Sequence, residues 1–329
     1  MTLKQWKPKQ MKKAVTVIGA AIVDVLVGPV NASVFEKGSQ AMKMSKMSFG
    51  GDALNEAVAL SKLGVAVELI SKVGQDETGE RVLQYLEKSR VDTSRVVQQE
   101  DLVTGINVVL VDDKAERHFL TNPQSSLRRL ALEDVEPYAE EAADIVSFAS
   151  MFVSPLLDIP AMESLFKQIK SKPGRVLVAD MTKAKNGELL EDLKGLLTYV
   201  DYLLANEAEA ALITGCNDVN KNLESLLGAG AKCVVIKCGS KGCLIGTPEA
   251  VIKVAAYPVE QVVDTTGAGD CFAAGFLWGL SQGLSLEACG KLACATASFA
   301  VECVGATDGI TSVEEIKKRF DILNAGGEK

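Results

Sequence analysis

Histidine is almost missing from this chain: His118 is the only one among 329 residues. That leaves no case for a serine–histidine–aspartate nucleophile. With no Cys-x-x-Cys pair among the eight cysteines, a zinc site is also not expected. Positive charge is short as well. Thirty-five Lys and Arg stand against 43 Asp and Glu, a net charge of −8. There is no basic surplus to neutralise phosphates, so nucleic acid is not an expected partner. No apolar run approaches the length of a membrane span. No Gly-x-Gly-x-x-Gly follows the first strand-like run, which disfavours a dinucleotide oxidoreductase. Gly290-Lys291 is followed by Leu292, so it is not a phosphate-binding P-loop. Internal repeats and low-complexity segments are absent too.

What is present is apolar surface. At 47% apolar and 24% charged residues the chain can bury a sizeable core, enough for one large α/β domain with a small appendage. All eight cysteines fall between 216 and 303, mostly inside apolar runs, and read as reduced, buried small hydrophobes of a cytoplasmic protein. Five lysines among the first thirteen residues, followed by an apolar run from Ala14 to Val23, mimic a signal peptide. Asp24 follows at once, however, and Val15 to Ile18 reads as a first buried strand. Further strands are expected at 67–73, 145–149, 176–179, 202–204 and 233–237. Helices are expected at 80–90, 160–171, 187–198, 207–214 and 219–229. Strands alternating with helices predict right-handed crossovers and a parallel sheet. Residues 30–48 look like a short hairpin, and 105–111 with 116–121 form an alternating one around Asp112-Asp113-Lys114.

The chemistry concentrates at Asp264-Thr265-Thr266-Gly267-Ala268-Gly269-Asp270, which runs into a buried helix ending near Gly283. A Gly-Ala-Gly turn opening a helix aims unpartnered backbone N–H groups, and the positive end of the helix dipole, at one spot. Asp270 stands in the first turn. It can cap the helix, or it can take a proton from an alcohol while the N–H groups stabilise a phosphoryl group in transfer. A second Gly-rich turn, Phe49-Gly50-Gly51-Asp52-Ala53-Leu54-Asn55, opens a helix ending at Gly64. Backbone can approach a ligand closely at Gly50-Gly51, and Asn55 offers both a donor and an acceptor.

Together these two stretches resemble the paired signatures of the PfkB carbohydrate kinases, the ribokinase-like kinases, in the right order and over nearly the whole chain. The Gly-Gly-Asp-Ala form of the first resembles a poorly characterised bacterial sugar-kinase branch. Asp52 departs from the Lys or Ala of better-known branches and leaves the sugar open. The resemblance implies a three-layer α/β/α fold with a mainly parallel central sheet and a small β lid. It assigns 1–29, 49–103 and 122–329 to the kinase domain, and 30–48 and 104–121 to the lid. It implies ATP and Mg2+ as cofactors. Asp270 becomes the general base, with Gly267, Ala268 and Gly269 as the anion hole. Sugar contacts fall on Asp24, Gly50, Gly51, Asp52 and Asn55, and on Asn107 and Arg117 from the lid. Nucleotide contacts fall on Asn206, Lys237, Gly239, Gly267 and Gly269, with Glu209 acting on Mg2+ through water. The stretch 300–306, through Ala300, Cys303 and Gly305, resembles the loop that cages a monovalent cation, K+, together with Asp264 and Thr266. Asp180 ends a strand toward the same cleft, either as a ligand or as a turn residue.

The expected function is therefore ATP-dependent phosphorylation of a sugar hydroxyl, a primary one. The alternatives are a nucleoside kinase of the same fold and a catalytically silent nucleotide-responsive protein. A homodimer through the lid is expected, with Met42, Met44, Met47, Val109, Val111 and Phe119 supplying its apolar face.

Overall fold

The computed structural model describes residues 15–114 and 116–325. The lysine-rich stretch 1–13 lies outside the described residues. Nine strands form one sheet in the spatial order Val251–Val254, Cys243–Gly246, Cys233–Lys237, Tyr202–Asn206, Val176–Met181, Ile145–Met151, Val15–Ile18, Val67–Gly74 and Asp92–Gln99. All neighbours are parallel except at the first two pairings of that order. The central strands are apolar on both faces because helices cover both. On one face Asp52–Lys62, Ala268–Ser281, Leu286–Ala300 and Val313–Ala325 build a core around the fully buried Trp278. On the other, Leu132–Ala139, Ile159–Ile169, Leu190–Leu197, Glu207–Thr214 and Val219–Gly228 pack on Phe148, Phe166 and Leu203. This is the expected three-layer fold. Helix ends leave carbonyls without partners, and the buried Arg175 meets several of them, donating to the carbonyls of Ala139, Glu140, Ala142 and Ile169.

A second sheet of four strands runs Met44–Gly50, Ile22–Gly28, Ile106–Val111 and Arg117–Thr121. It corrects two expectations. Residues 30–48 are not a hairpin: they hold a short helix, Ser33–Lys37, and one strand whose antiparallel partner is Ile22–Gly28. Ile22–Gly28 thus pairs within the small sheet, although the boundary at 29 had placed it with the large one. The apolar run from 14 to 23 reads as continuous, but the chain leaves the large sheet after Ile18, through Gly19 at φ 151°. The third correction concerns side-chain parity. Strand residues alternate faces, and Val109 and Phe119 line the same small cavity as Asp24 and Arg117. Val109 is buried against the body, but Phe119 on the same face is itself 60% exposed; Met47 and Leu120, on the opposite face, are 57% exposed each. Met42 is exposed ahead of its strand, and Met44 and Val111 are half-buried.

All eight cysteines are free, five of them buried. No helix among the described residues is long and apolar enough to cross a membrane.

Candidate active site

The C-terminal ends of the parallel strands open into a cleft of about 820 Å3, where open α/β sheets place their ligands. The helix Ala268–Ser281 starts at its floor. Its N-cap, Gly267, sits at φ 71°, and a Cβ there would stand 2.5 Å from Ala306, so the tight turn requires glycine. Asp270, in the first turn, lines the cleft. Its Oδ2 accepts a 2.7 Å hydrogen bond from Asn55 Nδ2, which joins the two Gly-rich stretches across 215 residues of sequence. Burial, then the like charge of Asp52, pushes the Asp270 carboxyl well above the ordinary carboxylate range, and the Asn55 bond only partly opposes them.

Lys237 spans the floor. Its ammonium donates to both oxygens of Asp180 at 2.7 Å and lies 3.7 Å from where a Cβ on Gly269 would be. Burial works against the charged lysine, but the carboxylates of Asp180 and Glu209 outweigh it and hold its pKa above the ordinary lysine value. Asn206 and Glu209 form a reciprocal cap. Asn206 Oδ1 accepts from the Glu209 N–H at 2.8 Å, and a Glu209 carboxylate oxygen accepts from the Asn206 N–H at 2.7 Å. Burial lifts the Glu209 carboxyl from 4.5 to about 6, despite Lys237. Gly239 lines the same cleft. The opposite wall is apolar: Tyr257, Pro258, Val259, Val262, Phe272 and Val301.

Of the sugar-side candidates Asp52 lines this cleft, while Asp24 lines the small cavity under the lid with Arg117. Ser150 donates to Asp52 Oδ2 at 2.6 Å. Asn107 Nδ2 donates to Asp24 Oδ1 at 3.1 Å, and Thr121 donates to Asn107 Oδ1 at 2.9 Å. Burial raises the Asp24 carboxyl, with Asn107 opposing it. A Cβ on Gly50 would stand 2.0 Å from Asp24 Oδ2, so this glycine is needed for close approach. Gly51, at φ 94°, caps the helix that carries Asp52 and Asn55.

Arg117, an expected sugar contact, is bonded to the body instead. It reaches from the small sheet to the body, donating to Asp264 Oδ1 at 2.5 Å and to Thr266 Oγ1. Asp264 Oδ1 also accepts from the N–H of Thr266 at 2.9 Å, and its Oδ2 from the N–H of Gly305 at 3.4 Å. A caged cation needs converging oxygen acceptors. Here both oxygens of the Asp264 carboxylate are met by donors, Arg117 among them, so this member of the expected potassium set does not stand open to a cation. His118 lies on the other face of its strand, 3.3 Å from Asp112 at the hairpin turn.

Several contributors carry no signal in the sequence. Ser150 ends a strand of ordinary composition. Residues 255–263 have no periodicity to mark them, yet they form the apolar wall. Glu56 shares the buried face of the Asp52–Lys62 helix with Asn55, and burial raises its carboxyl well above the usual range. Lys46 and Lys62 donate to the carbonyls of Val304 and Thr307, at 3.1 and 2.7 Å, so lid and body both grip the loop after Ala300.

Residues 12–312 match the pfkB family of carbohydrate kinases. A protein of Pyrococcus horikoshii described as a sugar kinase is 32% identical, the match covering 88% of this chain and 90% of its own. A nucleoside kinase of Methanothermobacter thermautotrophicus is 29% identical over 86% of this chain and 87% of its own. Among solved structures, a ribokinase of Arabidopsis thaliana complexed with ribose and ATP superposes with a TM-score of 0.79 at 24% identity, covering 94% of this chain and 99% of that one.

Proposed function

The chain belongs to the pfkB family of carbohydrate kinases, and from that premise we propose that it transfers the γ-phosphoryl group of ATP to a hydroxyl, a primary one, of a sugar. The observation that carries this reading is Asp270. A carboxylate of raised basicity stands at a helix N-terminus inside the cleft, held by Asn55 from the other Gly-rich stretch. The adenine takes the apolar wall around Tyr257 and Val262, and the phosphates run toward Asn206, Lys237, Gly239 and the Gly267–Gly269 N–H groups. The sugar lies by Gly50, Gly51, Asp52 and Asn55, with Asp24 and Asn107 above it. As the hydroxyl oxygen bonds to the γ-phosphorus, the bond from that phosphorus to the bridging oxygen breaks and ADP leaves. The hydroxyl proton passes to Asp270. The N–H groups of the helix start stabilise the equatorial oxygens, and the Lys237 ammonium offsets charge along the phosphates.

The Glu209 carboxylate, which lines the cleft, suits a hard divalent cation. Mg2+ held through Glu209 would neutralise the triphosphate when bound. The lid excludes water, which otherwise competes for the phosphoryl group.

An ADP-release screen over ketoses, aldoses, sugar acids and nucleosides tests the reading. Turnover with at least one sugar is expected. Turnover confined to nucleosides would favour a nucleoside kinase, an alternative that Phe119 beside Asp24 keeps in the screen. Silence across the whole panel would favour a non-catalytic binding protein. The outer lid face, with Met47 and Leu120, is where a second copy would pack. Light scattering should then show a dimer that Met47→Asp with Leu120→Asp converts to monomer, and a wild-type monomer would end that part of the proposal.

A further inference from the structure

We propose that the Arg117 guanidinium takes the place of a monovalent cation at Asp264, so that the lid itself carries the charge that sets the phosphate-binding turn and turnover needs no potassium. This rests on the kinase reading and deepens it. The Asp264 side chain is 3% exposed. A buried carboxylate without a counter-charge is costly, and it is worse beside a site that must hold phosphate oxygens. Its only cationic partner among the described residues within 4.0 Å is Arg117. The other lid cation nearby, Lys46, is directed to Val304 and Asp308. Burial opposes ionisation of Asp264, but hydrogen bonds from the Thr266 N–H and hydroxyl, and then the Arg117 guanidinium, outweigh it and hold the carboxyl below its ordinary value.

The location gives the pair its consequence. Thr266 directly precedes Gly267, the N-cap of the helix that carries Asp270. Arg117 engages Asp264 and Thr266 together, so it pins the residue that sets the direction of the first N–H groups. Arg117 belongs to the outermost strand of the small sheet, and its partners belong to the body. With the lid docked over the cleft, the contact joins lid to body. Closure over the sugar and completion of the phosphate-binding turn are therefore one event, which guards ATP against water when no sugar is present. A permanently bound cation would give no such coupling. Arg117 is in this account a positioning residue acting through Asp264 and Thr266.

The test uses the full chain and a sugar found by the screen. At constant ionic strength, wild-type kcat should be unchanged when choline or Na+ is replaced by K+. Activation of the wild type by K+ would overturn the proposal. Arg117→Ala should lower kcat about 100-fold, the scale of losing one preorganised electrostatic group, with little change in KM for ATP. Part of the loss should return with K+ but not with choline, and Arg117→Lys should retain more activity than Arg117→Ala. Full turnover by Arg117→Ala without K+ would also overturn it. Adding Asp264→Asn to Arg117→Ala should lose no more than Arg117→Ala alone, since the charge and its need vanish together, whereas additive losses would contradict this. A readout independent of turnover is the thermal midpoint: K+ should leave the wild type unmoved and raise that of Arg117→Ala. If no sugar is turned over, this arm still decides the cation question separately from the kinase question. Should Arg117→Ala not fold, Arg117→Gln, which keeps a hydrogen bond to Thr266, takes its place with the same expectations.

Discussion

The two ends of the cleft are assembled differently. At the nucleotide end Asp180, Asn206 and Lys237 end three neighbouring strands of one sheet, and their side chains are already bonded within that sheet or to the helix that follows it. On the proposed sugar side, Asp24 and Asn107 belong to the small sheet and Asp52 and Ser150 to the body, while Arg117 bridges the two. The first end is set by folding. The second depends on where the lid stands. ATP should accordingly find a preformed site, while the sugar and the lid complete the rest between them.

Four outcomes would break or sharpen that contrast. The largest effect falls where the two ends meet. Asp270→Asn keeps the shape and removes the base, and kcat should drop on the order of 10²–10⁴-fold with ATP binding retained. In the wild type kcat/KM should fall on the acid side through a pKa above the ordinary Asp value of about 3.9, because only the ionised carboxylate accepts a proton and burial has raised it. Near-normal turnover in the Asn variant would remove Asp270 from its role. Next, Lys237→Met leaves Asp180 buried and unpaired, at side-chain exposures of 15% and 9% for the pair. Denaturant unfolding should show a loss of about 3–5 kcal/mol, and an unchanged midpoint would mean that the nucleotide end is not prebuilt as described. Third, Asn107→Ala removes a lid contact alone. KM for the sugar should rise about 10-fold, as expected for one lost hydrogen bond of about 1.4 kcal/mol, with KM for ATP unmoved; equal changes in both would erase the distinction between the ends.

The smallest effect is on stability. Without Mg2+, Glu209 ionises near 6 in the fold against 4.5 unfolded. Its contribution to stability is complete below the lower value and is lost as pH rises through the higher one. The thermal midpoint of the wild type should therefore fall relative to Glu209→Gln over that window, and a constant gap between them would contradict the shift.

The nucleotide end was also the more legible in the sequence. Strand–helix alternation predicts the sheet, and Gly267 to Asp270 and Asn206 to Glu209 each occupy a helix start that a short motif encodes. The lid was less legible. Ile22–Gly28 continues an apolar run, and nothing local says that the chain changes sheets. The polar strand Asp92–Gln99 owes its place to pairing with Val67–Gly74 and lacks a buried apolar face of its own. Arg117 could be named as a ligand but its partner could not, because Asp264 lies 147 residues away and only the docked lid brings them together. The same distance hid the donors at Asp264: a cage residue can be matched by position, but whether its oxygens face donors is a property of the fold.

The most direct test of the account is a mass balance. With ATP, Mg2+ and a sugar from the screen, ADP and phosphorylated sugar should accumulate in equal amounts, and ADP should form far more slowly when the sugar is withheld. ADP released at the same rate without sugar, or with no phosphorylated sugar to match it, would contradict a cleft whose phosphoryl transfer is completed by the sugar and the lid.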